Sequence, residues 1–177
     1  MPFNNSSHEL KFNPMEDGVT HINIYSRGDT ELGRMLSHFY NASIDHPEFG
    51  SFANMECFWH YLSRGCKHEK LRNMPAFKVK QLSKELPKVV RDDFMEQIKI
   101  ANELKILQHP NIMHVLCDSS LPFEHYYTFG SPPIVRRPNE AQKLIDIMES
   151  IRTKFKETKP WLTHSLHLPL SQVPQTN

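Results

Sequence analysis

The sequence predicts an α+β fold, a single and mostly helical domain with a small β-sheet, and three observations carry that expectation. Ala141, Leu144, Ile145, Met148, Ile151 and Phe155 recur at helical spacing and make one apolar face over roughly four turns. Phe94 or Met95, Ile98, Ala101 and Lys105 follow the same spacing behind Asp92 and Asp93, whose charge suits a helix N-terminus. Two short stretches read instead as strands: His21-Ile22-Asn23-Ile24-Tyr25 alternates polar and apolar residues, and Phe123 to Phe129 is aromatic and β-prone.

Taken in order, residues up to Thr20 hold Asn, Ser, Pro and Gly without apolar periodicity and are expected to form a flexible leader, 1–20. The strand at His21 ends in the turn Ser26-Arg27-Gly28-Asp29, and the Arg34 to Tyr40 motif follows it, a common place for a site. Beyond Ser51 a helix is expected in which Phe52, Met55, Trp59 and Leu62 form one stripe, with Glu56 at its edge beside Phe52 and Trp59. A charged connection over 63–72 leads to a helix that begins near Pro75, ends before Pro87 and buries Val79, Leu82 and Leu86.

The long helix behind Asp93 is interrupted at Pro110, and 111–116 reads as one short helix. Ser119-Ser120-Leu121-Pro122 is a turn, while Gly130 and Pro132-Pro133 close the aromatic strand. Asn139 is placed to cap the final helix, which should end near Glu157. From there a mobile tail is expected, 158–177, with Trp161 and Leu162 docking back, so the domain is 21–157.

Bulk properties exclude more than they identify. With 177 residues there is room for one real core, and a formal charge of +1 gives no overall field favouring nucleic acid or an anionic membrane. No apolar run is long enough to span a bilayer and the first residues are polar, so export is not expected and a cytoplasmic location is. Cys57, Cys66 and Cys117 form no CxxC pair and suit reduced thiols. Cys57-x-x-His60 and Cys66-x-His68 match no common zinc spacing, so neither a metal nor another cofactor is expected. Cys117, near His114 and Ser119, lacks an oxyanion turn and an orienting acid.

Glu56 is the residue that asks for an explanation. A carboxylate among Phe52 and Trp59 is partly desolvated, so it must be paired, hydrogen-bonded or shifted toward the range useful for acid–base chemistry. The plain alternative is a structural ion pair with Arg34 or Arg91. Lys80 and Lys105 lie on amphipathic helices, where lysines are ordinarily solvated, although Lys105 falls on the apolar side of its helix.

Several separated blocks, in order, resemble the NADAR family of YbiA-like N-glycosidases over roughly residues 21–155. Gly33-Arg34 and Ser37-His38-Phe39 are similar to the family's glycine-arginine and Ser-Asn-Phe elements, and 52–62 with Glu56 to its glutamate-bearing helix. Phe77-Lys78-Val79-Lys80 resembles its lysine-bearing helix, and Arg91-Asp92-Asp93-Phe94-Met95 its Arg-Asp-x-x-Met block. Further blocks are Lys105-Ile106-Leu107-Gln108 with Ile112, and Leu116 to Glu124. Two departures mark a divergent branch. His38 replaces the customary asparagine, and His125-Tyr126-Tyr127-Thr128-Phe129-Gly130 stands where many relatives place an Asp and then a Trp-Gly pair.

The resemblance implies a metal-independent hydrolysis of the bond between ribose C1 and a nitrogen, on an ADP-ribosyl or ribosyl-phosphate substrate, with ADP-ribosylated guanine in DNA as one such partner. It implies a catalytic role for Glu56, with Glu124 or His125 protonating or positioning the leaving nitrogen. Arg34 and Lys80 would hold phosphate oxygens. Ser37, His38, Phe39, Trp59, Lys105 and Tyr127 would complete the substrate wall. A second reading is a module that binds ADP-ribose-like nucleotides, the missing Asp and Trp having cost it catalysis.

Overall fold

The computed structural model describes residues 12–131 and 134–158. Among these described residues are six α-helices and three small two-stranded sheets. Strand β1 (Ile22–Asn23) pairs in parallel with β4 (Phe123–Glu124), Ile22 opposite Phe123. The two regions expected to form the sheet therefore do form one. Two antiparallel hairpins were not legible: β2 (Ile44–His46) with β3 (Gly50–Phe52), and β5 (Tyr127–Phe129) with β6 (Ile134–Arg136). Each hairpin strand is three residues long, too short for alternation to show.

The helices are α1 (Glu31–Leu36), α2 (Met55–Ser63), α3 (Ala76–Leu82), α4 (Phe94–Gln108), α5 (Pro110–Asp118) and α6 (Ala141–Thr158). Thr30 caps α1 by accepting from the Gly33 amide, and Asn54 caps α2 by accepting from the Cys57 amide at 3.0 Å. Gly33 also permits α1 to lie against β1, because a Cβ there would stand 2.2 Å from the Asn23 carbonyl oxygen. Pro110 opens α5, where its missing N–H costs nothing, and so divides α4 from α5 as expected.

Leu36, Met55, Phe58, Leu62, Val79, Ile98, Ile106, Ile112 and Ile151 form the centre of one core. The apolar face read for α6 is buried at all six positions, and Phe94, Ile98, Ala101 and Lys105 are buried on α4. The helix expected to run up to Pro87 is shorter: α3 ends at Leu82 and a 3-10 turn, Ser83–Glu85, follows it, so Val79 is buried while Leu82 and, beyond the turn, Leu86 pack only partly against the core. The stripe around Glu56 needs correcting. Phe52 ends β3 instead of sitting on α2, and reaches the helix through edge contacts with the Phe58 and Tyr61 rings.

The second half of the expected leader is packed onto the domain. Phe12 stacks on Tyr126 with ring centroids 4.9 Å apart, and the Tyr126 hydroxyl donates to the Pro14 carbonyl at 3.1 Å. The Asp17 carboxylate accepts from the amides of Asn23 and Asp29, fastening the segment to β1 and the turn behind it. Residues 1–11, the Pro132-Pro133 pair, and the tail from 159 with Trp161 and Leu162 lie outside the described residues. Among the described residues no helix is long and apolar enough to cross a membrane.

Candidate functional site

A cleft of about 690 Å³ opens between α2, α3 and α6, walled also by the turn after α1, the bend after β1 and the chain running from β4 into β5. Glu56 stands in the first turn of α2 and is 7% exposed. Its amide donates to the His38 carbonyl at 3.1 Å, which ties the helix to the turn beyond α1. Its carboxylate accepts from His60 Nε2 at 3.2 Å, one turn along the same helix. The other ring nitrogen of His60, Nδ1, is buried without a partner among the described residues, so the ring is anchored through Nε2 alone. Neither arginine considered as an ion-pair partner takes that role. Arg91 pairs with Asp93 through two nitrogens at 2.8 Å, and Arg34 turns elsewhere.

Arg34 lies behind the site. Its Nη1 donates to the carbonyls of Gly28 and Asp29, each at 2.8 Å, and Arg34 is not part of the cleft wall. The arginine that does line the cleft is Arg27, exposed in the bend that Arg34 braces. The turn was readable in the sequence, but nothing in it marked Arg27, because a loop arginine is solvated by default.

Ser37, His38 and Phe39 all line the cleft, as does Lys80, whose ammonium lies 5.2 Å from the Phe39 ring centre. His38 packs against Trp59 with ring centroids 5.5 Å apart, and its Nε2 is buried without a partner. Burial drives its pKa down to about 3, with Lys105, His125, His60 and Lys80 adding to the shift. The ring is therefore neutral at physiological pH.

Lys105 is placed differently from the expected substrate contact. It is 1% exposed, and its Nζ donates to the carbonyls of Met35 and Ser37 at 2.6 and 2.9 Å, closing the C-terminal end of α1. Burial alone brings its pKa down to about 7. It holds the Ser37 turn in place from beneath the cleft wall.

Opposite α2 stand His125 and Tyr127. His125 Nδ1 donates to the Ile24 carbonyl at 2.6 Å, which fixes the tautomer, and burial lowers its pKa. Its Nε2 thus carries a lone pair, 3.5 Å from the Tyr127 hydroxyl. Tyr127 is pushed up to about 12, first by burial and next by the charge of Glu56, which lines the same cleft. Edge contacts of Tyr127 with Tyr25, at 5.2 Å, and with Phe129 extend this aromatic wall.

Glu124 does not join the group. Its carboxylate pairs with Arg137 at 3.2 Å and is not part of the cleft wall. The second carboxylate lining the cleft is Glu140, just before α6, which sequence reasoning missed, as it missed His60. The four-residue spacing from Glu56 is the signal that would have found His60. Among the described residues no three His, Cys, Asp or Glu side chains gather as a metal site. Cys57, from the zinc-like spacing, donates its thiol to the Met74 carbonyl.

No family model matches the chain, and neither does any curated protein. Among solved structures, the NMR structure of the E. coli protein YbiA is similar, with a TM-score of 0.57 and 14% sequence identity. The match covers 87% of this chain and 92% of that one. The chain therefore has a YbiA-like α+β fold.

Proposed function

We propose that the protein is an N-glycosidase that hydrolyses the ribose C1–N bond of an ADP-ribosyl or ribosyl-phosphate substrate. The observation that carries this reading is Glu56, a nearly buried carboxylate facing a cleft that also presents two cations and several aromatic rings. Cleavage of an N-glycoside builds positive charge on the sugar, and a carboxylate in a low-dielectric wall stabilises that charge far better than water does. It also accepts the proton of the attacking water. His60 holds the carboxylate in place through the bond at 3.2 Å.

Arg27 and Lys80 supply the positive charge for phosphate, the arginine as a planar fork and the lysine as a point charge. Tyr25, Phe39, Trp59 and Tyr127 offer stacking surface for a base. The leaving group meets the Tyr127 hydroxyl as donor and the neutral His125 Nε2 as acceptor. Glu124, held by Arg137, has no part in this scheme.

The test is release of free ADP-ribose from an oligonucleotide carrying ADP-ribosylated guanine, beside the corresponding free nucleoside. Glu56→Gln should fold normally and lose turnover by at least about a hundredfold. Equal turnover by that variant removes Glu56 from the mechanism. A second reading, a nucleotide-binding module, is favoured by one observation: the wall opposite Glu56 offers a histidine held neutral and a phenol, with Glu140 exposed at the cleft edge. Calorimetric binding of ADP-ribose with no turnover of any N-glycoside would select it.

A further inference from the structure

A second cavity, of about 390 Å³, shares Trp59, His60 and Glu140 with the main cleft, so the two are continuous across one face of α2. Its lining is of a different character. Arg64, Lys88, Arg91 and Lys143 line it against two carboxylates, Asp92 and Glu140, in a chain whose net charge is only +1. Arg91 is neutralised by Asp93. The other three cations are not. Arg64 donates through Nε to the Ser83 carbonyl at 2.8 Å, and its remaining N–H groups donate to no other described residue. Lys88 and Lys143 are exposed, and neither has a carboxylate partner among the described residues.

The helix sets the spacing. Residues 56, 60 and 64 follow one another at four-residue intervals, so the path from Glu56 to Arg64 runs over His60 and covers about 12 Å of helix rise. Arg64 therefore stands about two helical turns beyond Glu56, in the second cavity and not in the main cleft. Arg64 also stands at the C-terminal end of α2, where the helix dipole favours a cation.

We infer that the groove of Arg64, Lys88 and Lys143 binds a second phosphate group of the substrate, one beyond the reacting ribose. This rests on the N-glycosidase reading for what lies at Glu56, but the groove is tested by binding alone. The phosphate chemistry has two sources, the pyrophosphate of a dinucleotide-like ligand or the backbone of a nucleic-acid strand. In either case the anion enters from the side of Lys88 and Lys143, and the sugar reaches Glu56 over Trp59.

The experiment measures affinity of the full chain carrying Glu56→Gln, with and without Lys88→Gln and Lys143→Gln together, for three probes. These are ribose 5-phosphate, ADP-ribose and a short unmodified single-stranded oligonucleotide. Ribose 5-phosphate, which fits the main cleft alone, should bind equally to both proteins. ADP-ribose or the oligonucleotide should weaken by about tenfold or more, and the probe that weakens names the source. If it is the oligonucleotide, the slope of log affinity against log salt should fall by roughly one to one and a half. Unchanged affinity for all three probes, an equal loss for all three, or no binding of any to the parent would each overturn the groove. Turnover of an N-glycoside with an unresponsive groove would leave the proposed function standing, and a responsive groove without turnover would do the reverse.

Discussion

Arg34 Nη1 reaches the Gly28 carbonyl at 2.8 Å, so the arginine expected to grip phosphate instead braces the bend that presents Arg27. Arg27→Ala should weaken binding of a phosphorylated ribose with stability unchanged within about 0.5 kcal/mol, as is usual for an exposed position. Arg34→Ala should cost about 1 kcal/mol of stability, the scale of charged hydrogen bonds at a partly exposed site, and weaken the ligand through the loosened bend. Urea denaturation beside calorimetry separates the two. Equal stability loss from both variants would remove the distinction between contact and brace.

Glu56 and His60 form a pair within one helix, and the histidine's remaining nitrogen is buried without a partner. His60→Gln should keep a donor near the carboxylate and lower turnover modestly, by about tenfold, while His60→Ala should lower it further. The measurement is kcat for both variants with folding verified by circular dichroism. Full activity in His60→Ala would show that the carboxylate holds its position without help.

His38 is kept neutral, its pKa lowered from 6.5 to about 3. Between these values the unfolded chain takes up a proton that the folded chain refuses, so stability must fall as pH falls through this window. His38→Asn removes that site. The stability difference between wild type and variant should be flat above about pH 7 and move against the wild type as pH drops from 6.5 toward 3.5. A pH-independent difference would mean that the ring takes up its proton equally readily in the folded and the unfolded chain.

Lys105 gives the same sign in a different window. Its folded pKa lies at about 7 against an ordinary 10.5, so the cost of burying the charge is fully present below pH 7 and relieved as pH rises toward 10.5. Lys105→Met loses the bonds to Met35 and Ser37 but also the titration. Wild-type stability should gain on the variant between pH 7 and 10. Tyrosines with raised pKa values, including Tyr127, act in the opposite direction at high pH in both proteins and cancel in the difference.

By itself the sequence determined the elements that depend on local pattern. The face of α6, the division of α4 from α5 at Pro110, and the pairing regions at His21 and Phe123 were all legible, because helical spacing, proline and β-prone runs act within a few residues. It also singled out Glu56, His38, Phe39, Trp59, Lys80, His125 and Tyr127, which the fold brings to one cleft. Only the tertiary structure decided where long side chains end. Arg34 and Lys105 turn toward backbone carbonyls, Glu124 turns toward Arg137, and Arg27, His60 and Glu140 take places on the cleft wall. An arginine or lysine spans several ångströms of rotatable stem, so its chain position leaves its charged end undetermined until neighbouring elements supply the partner.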